Sequence, residues 1–151
     1  MKIQKNQIID AEVSGIQPYG AFVKIEDGRK GLIFIEDLSV VRIKSPEERV
    51  KIGQKIKCKV KSIDQDTGKI NLSYKECLGT WEENVKNFQV GMTVKGIVRD
   101  TEKNKNGVFI ELTPNLVGMT EYKKDLEYGQ EVDVKIKNIQ PDKKKVKLII
   151  V

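Results

Sequence analysis

Histidine is absent from this sequence of 151 residues. Its absence excludes imidazole acid–base chemistry, Ser-His-Asp and Cys-His nucleophile systems, and any zinc site that needs an imidazole ligand. Cysteine is scarce, with only Cys58 and Cys77. Two thiols cannot build a four-ligand zinc site or a disulfide framework, and they suit a reducing compartment. No run of about 18 apolar residues occurs, so no membrane-spanning helix and no membrane partner are expected. The opening MKIQKNQIIDAEV lacks the apolar core of a secretory signal. No pair of carboxylates repeats a metal-ligand spacing, which leaves a calcium loop or a two-metal nuclease without support. The expectation is a protein with no catalytic residues, no metal and no cofactor, located in the cytoplasm.

What the chain does contain is charge. Lys and Arg number 28 against 22 Asp and Glu, a formal net charge of +6, and 33% of residues are charged. That excess suits a polyanionic partner and also an ordinary soluble protein. The length fits one ordinary domain or two small ones.

An internal repeat favours two. Gly20 and Gly107 lie 87 residues apart, as do Gly31 and Gly118, whereas Gly53 and Gly129 lie 76 apart. The second copy has therefore lost 11 residues between those landmarks, a loop-type deletion. Within each copy, apolar and polar residues alternate with period two. Ile9, Ala11 and Val13 alternate with Asp10, Glu12 and Ser14. Ala21, Val23 and Ile25 alternate with Phe22 and Lys24. Ile56, Cys58 and Val60 alternate with Lys55, Lys57, Lys59 and Lys61. Val108, Ile110 and Leu112, then Val132, Val134 and Ile136, repeat the pattern. These are half-buried antiparallel strands, separated by turns at Pro18–Gly20, Asp27–Gly28, Asp66–Gly68, Thr113–Asn115 and Pro141–Asp142. The alternation predicts five short strands per copy, closing as a small barrel. Between the copies, Thr80 and Glu83 fit a capping box, and Trp81, Val85 and Phe88 share one helical face, which predicts a short helix over 80–88. SPEERV, from Ser45, predicts a second helical turn with Pro46 at its first position.

The runs PYGAFVKI, KGLIFIEDLS, VKIGQKIKCKVKSID and DTGKINLSYK, in that order and spacing over residues 6–75, resemble the S-one RNA-binding family, named from the largest protein of the bacterial small ribosomal subunit. The second copy keeps Gly107-Val108-Phe109, Gly118, Gly129-Gln130 and the ending from Lys145 to Leu148. The resemblance implies an all-β chain of two tandem five-stranded OB-fold barrels joined by a short helix. The domains are 1–76, with the RNA-binding face intact, a linker helix in 77–90, and a degenerate second barrel in 91–151. It further implies single-stranded RNA, mRNA above all, as partner, a role in translation on or near the ribosome, and further repeats in such proteins. A monomer is expected.

The family's motif falls on Tyr19, Phe22, Phe34, Asp64 and Lys69 of this chain. The alternation supports part of this independently. With Ala21, Val23 and Ile25 turned inward, Phe22 and Lys24 face out, and an outward aromatic beside a lysine offers base stacking plus phosphate attraction. In the family the Phe34 slot is commonly histidine and the Lys69 slot often arginine. A phenylalanine and a lysine there imply stacking without a polar base contact, hence low sequence specificity. Asp64 either accepts a hydrogen bond from a base edge or orders a neighbouring basic residue.

In the second copy the Tyr19 slot holds Asn106, the Phe34 slot Glu121 and the Asp64 slot Gln140. Glu111 stands for Lys24, and only Phe109 and Lys145 survive. That copy is expected to bind RNA poorly through this face and to pack on the first or dock another protein. An alternative for the whole chain is accordingly a protein-interaction module on a ribosome or RNA-processing complex. Blander readings stand beside the sharp ones: packing for Phe22 and Phe34, a local plug for Tyr19, a solvated face or edge protection for Lys55–Lys61, a solvated turn for Lys143–Lys145. Trp81 reads as a junction anchor and both cysteines as structural.

Overall fold

The computed structural model describes residues 3–99, 107–121 and 123–151. The chain divides into two compact units, one ending at Leu78 and the other beginning at Gly79.

In the first unit, β1 (Ile8–Gln17), β2 (Gly20–Ile25), β3 (Lys30–Phe34), β4 (Lys55–Ile63) and β5 (Ile70–Ser73) form a closed barrel in the order β1-β2-β3-β5-β4. β1 pairs antiparallel with both β2 and β4, which closes the ring, and β3 meets β5 in parallel. The alternation in the sequence is the cause. Val13, Ala21, Val23, Ile33, Val60 and Leu72 are almost fully buried inside, while Asp10, Glu12 and Lys24 on the same strands are exposed. Each such aliphatic side chain contributes roughly 1.5–3 kcal/mol by leaving water. Two glycines let the strands close. A Cβ at Gly20 would run into the Ile33 carbonyl and the Phe34 Cα, and one at Gly31 would lie 2.7 Å from the Leu72 side chain.

The long connection between β3 and β4 holds two 3-10 turns, Ile35–Asp37 and Pro46–Glu48. The second starts with Ser45 in a capping box: Glu47 N donates to Ser45 Oγ at 3.3 Å and Ser45 N donates to Glu48 Oε2 at 3.0 Å. Leu38, Val41, Ile43 and Val50 of this connection are buried and join the core. Cys58 points inward from β4, where burial, with Cys77 a lesser cause, pushes its thiol up to about 12, so it stays protonated.

The second unit repeats the design. β6 (Thr93–Val98), β7 (Val108–Thr113), β8 (Leu116–Thr120), β9 (Glu131–Gln140) and β10 (Lys145–Ile150) close in the equivalent order. Its core is Val98, Val108, Ile110, Leu116, Val134, Ile136, Val146 and Leu148. The 11 missing residues fall in the β8–β9 connection. A helix, α1 (Trp81–Val85), lies against this core through Trp81 and Val85, followed by Phe88. The expected capping box is present, with Glu83 N to Thr80 Oγ1 and Thr80 N to Glu83 Oε1 both at 3.1 Å. Regular helix stops at Val85, short of the expected 88, because Phe88 N bonds to Val85 O (3.0 Å), three residues back, in a tighter turn. Asn84 sits near that end, donating its side chain to Thr80 O at 2.8 Å and accepting from Thr113 Oγ1 at 2.7 Å.

Candidate nucleic-acid interface

The outer surface of the first barrel carries two adjoining rows. Strand parity sets Phe22 outward on β2 between Gly15 of β1 and Leu32 of β3, its register partners. Gly15 has no side chain to crowd the ring; a Cβ there would lie 3.8 Å from that of Phe22. Tyr19, 49% exposed in the β1–β2 turn, meets Phe22 edge-on, with ring centroids 6.1 Å apart and planes at 89°. Phe34 stands at the end of β3 opposite Gly20 and is half-buried. Tyr19, Phe22, Leu32 and Phe34 thus form an apolar, largely aromatic ledge. The row continues on β5 with Asn71, which pairs with Leu32 and donates to Ser62 Oγ at 3.1 Å.

The second row is basic. Lys24 on β2 pairs with Lys30 on β3. Ile70, the neighbour of Gly31 across the parallel pairing, is preceded by Lys69, so the register sets Lys69 beside Lys30. Lys24, Lys30 and Lys69 are exposed, on β2, on β3 and just ahead of β5. Lys30 and Leu32 were not among the residues expected from sequence. The β2–β3 hairpin sets them beside Lys24 and Phe22, while their place beside Lys69 and Asn71 depends on the parallel β3–β5 pairing, which no local pattern reveals. On its other side Lys24 faces Glu12 of β1, at the rim of an open groove of about 720 Å³ that also holds Asp10, Glu26, Lys55 and Lys57.

Asp64 has a structural job. Its Oδ1 accepts the backbone N–H of Asp66 (2.9 Å) and of Thr67 (3.2 Å), closing the β4–β5 turn just ahead of Lys69. Those donors, Thr67 first and Asp66 next, hold its carboxyl below the ordinary value. The lysines of β4 are largely neutralised. Lys57 pairs with Asp10 (3.1 Å), Lys59 with Glu76 (3.8 Å), and Lys61 reaches both oxygens of Asp37. Edge protection does not explain them either, since β4 is flanked on both sides in a closed barrel.

The second barrel presents a different surface. Phe109 is half-buried opposite Met119, and Glu121 and Lys145 are exposed. Gln140 is half-buried at the end of β9, and Asn106 lies outside the described residues. Glu111 is not the bare anion that the sequence suggests. It is buried against Arg99, with Nε to Oε1 at 3.1 Å, and the Arg99 guanidinium lies 5.4 Å from the Tyr128 ring centroid. Arg99 also donates to the Tyr128 hydroxyl at 3.4 Å.

Among the described residues no helix is long and apolar enough to cross a membrane, and no cluster of three or more Cys, Asp or Glu side chains could hold a metal.

Residues 2–75 match the family model described as the S1 RNA binding domain, and the small ribosomal subunit protein bS1 of Staphylococcus aureus strain COL is 35% identical over 160 residues covering 98% of the chain. Residues 2–75 belong to the S1 RNA-binding domain family. The chain spans 40% of the length of that S1 relative. The bS1 protein of Chlamydia muridarum is 33% identical over 94% of the chain and 27% of its own length. Among solved structures, GSP13 from Bacillus subtilis is similar, with a TM-score of 0.50 and 29% identity over 52% of this chain and 61% of that one. The family model matches the first of the two barrels, the one that carries the aromatic ledge.

Proposed function

We propose that the chain binds single-stranded RNA through its first S1 barrel without catalysing a reaction, and that it does so in translation, on or near the ribosome, in the cytoplasm. The observation that carries this reading is the juxtaposition of Tyr19, Phe22, Leu32 and Phe34 with the lysine row Lys24–Lys30–Lys69 on neighbouring strands. Unpaired bases stack on the ledge while the backbone passes over the lysines. Stacking faces exist on every base, so sequence preference is low, and mRNA is a fitting ligand. Asp64 acts at one remove, by holding the turn that presents Lys69. The similarity to bS1 proteins supports the setting in translation.

The test is titration of labelled single-stranded RNA at several salt concentrations with wild type, Phe22→Ala and Phe109→Ala. A negative slope of log K against log salt is expected. Phe22→Ala should lose roughly 1–3 kcal/mol and Phe109→Ala much less. Absence of affinity at low salt, or equal losses at the two sites, would overturn the reading.

A further inference from the structure

The β9–β10 hairpin of the second barrel concentrates positive charge, most of it without an ion-pair partner among the described residues. Residues 134–151 hold six lysines, at 135, 137, 143, 144, 145 and 147, against the single Asp142. All six are exposed. Lys144 reaches Glu82 at 3.6 Å; the other five have no ion pair among the described residues. Lys135 and Lys137 project outward from β9, and Lys145 and Lys147 from β10. Across the hairpin Lys145 sits opposite Gln140, Lys147 opposite Asn138 and Lys135 opposite Ile149, so the four form a staggered ridge along it, with successive outward side chains on one strand about 6.7 Å apart.

The first barrel neutralises the equivalent positions. Lys59 and Lys61, the counterparts of Lys135 and Lys137 at an offset of 76, are paired with Glu76 and Asp37. Asp37 sits in the long β3–β4 connection, and the second barrel has shortened that segment by 11 residues. Asn71, neutral in the first barrel, corresponds to Lys147. The nearest acidic residues of β9, Glu131 and Asp133, are engaged by Lys95 at 3.1 and 3.7 Å.

Structural reasons for the ridge fail. β9 is paired with β6 and β10, and β10 with β9 and β8, so the lysines guard no open edge. A row of like charges works against the compact fold through self-repulsion. A cost of that kind is offset when an external polyanion binds.

We propose that this ridge is a second nucleic-acid site, one that takes the phosphate backbone and ignores the bases. The ridge has no aromatic side chain on its own two strands, so it accepts paired and unpaired RNA alike, whereas the ledge of the first barrel needs unpaired bases. The inference deepens the RNA-binding reading above and rests on it for the identity of the polyanion.

The full chain is titrated with an oligouridylate of about 20 nucleotides and with a short RNA duplex, each over a salt series. The variants are Phe22→Ala, a quadruple Lys135→Ala/Lys137→Ala/Lys145→Ala/Lys147→Ala, the same four lysines changed to Arg, and a control Lys57→Ala/Lys59→Ala. With oligouridylate the quadruple alanine variant should lower the salt slope by close to 3, at about 0.7 per lost phosphate contact. The arginine variant should keep the slope, and the control should change it little. Duplex affinity should fall in the quadruple alanine variant and not in Phe22→Ala. A salt slope unchanged by the four alanines, or no duplex binding by wild type at low salt, would overturn the ridge. If Phe22→Ala instead leaves oligouridylate binding unchanged, the aromatic-ledge reading fails and the ridge survives.

Discussion

Lys61 holds Asp37 with both carboxylate oxygens in reach, at 3.0 and 3.1 Å, across 24 residues of chain. The carboxylate is 8% exposed and the ammonium side chain 45%. The pair fastens the 3-10 turn after β3 onto β4 near that strand's C-terminal end. Lys61→Ala leaves a buried acceptor without its charged donor. Because water reaches the lysine side, the expected loss sits within the ordinary range for an orphaned polar group, about 1–3 kcal/mol. Urea unfolding of the variant measures it, and Asp37→Asn in the same chain should restore part of the loss. An unchanged midpoint for Lys61→Ala would show that solvent replaces the pair without cost.

The second barrel holds a more deeply buried pair. Arg99 and Glu111 are 6% and 7% exposed in their side chains. Arg99→Met strands Glu111 away from water and should destabilise this barrel by about 3 kcal/mol. Adding Glu111→Leu should return most of that stability, since a buried ion pair and an apolar pair are of similar worth. Thermal melts of the single and double variants settle the comparison. A double variant no better than the single would mean that Tyr128 packing, rather than charge, dominates.

Asp64 gives the β4–β5 turn a dependence on acid. Its folded-state carboxyl titrates below the ordinary value of 3.8, because backbone N–H groups of Thr67 and Asp66 stabilise the anion. A depressed acid contributes stability above the unfolded value and loses it as pH falls through the folded one. The turn should therefore hold at neutral pH and loosen only below 3.8. The Thr67 and Asp66 amide resonances should follow that titration in wild type, and Asp64→Asn should abolish it. Amides that titrate together with Asp66 alone would assign the effect to the wrong carboxylate.

Much of this architecture is legible in the residues themselves. The inward set of β1, β2 and β4 follows from period-two alternation, and Phe22 is outward by the same parity. The capping residues Thr80 and Ser45 announce their turns. What the pattern cannot convey is which strands become neighbours. Lys69 joins Lys24 and Lys30 only because β3 and β5 run side by side in parallel, 39 residues apart in sequence. The lysines of β4 look like a track along one strand. Their carboxylate partners come from β1, from the 3-10 turn after β3 and from a further 3-10 turn after β5, Lys75–Cys77, beyond the reach of any local period. Arg99 was invisible as the partner of Glu111 for the same reason, since pairing across a barrel is set by register.

Closure of each ring has a consequence for a chain that carries the same fold twice. Two near-copies tethered together meet at high local concentration while they fold, the circumstance in which repeats exchange strands and misassemble. Here every strand, β1 through β10, finds partners on both sides within its own ring. A finished barrel offers its sibling no unsatisfied backbone to capture. Each barrel of this chain is therefore a self-contained bead, closed within its own ring.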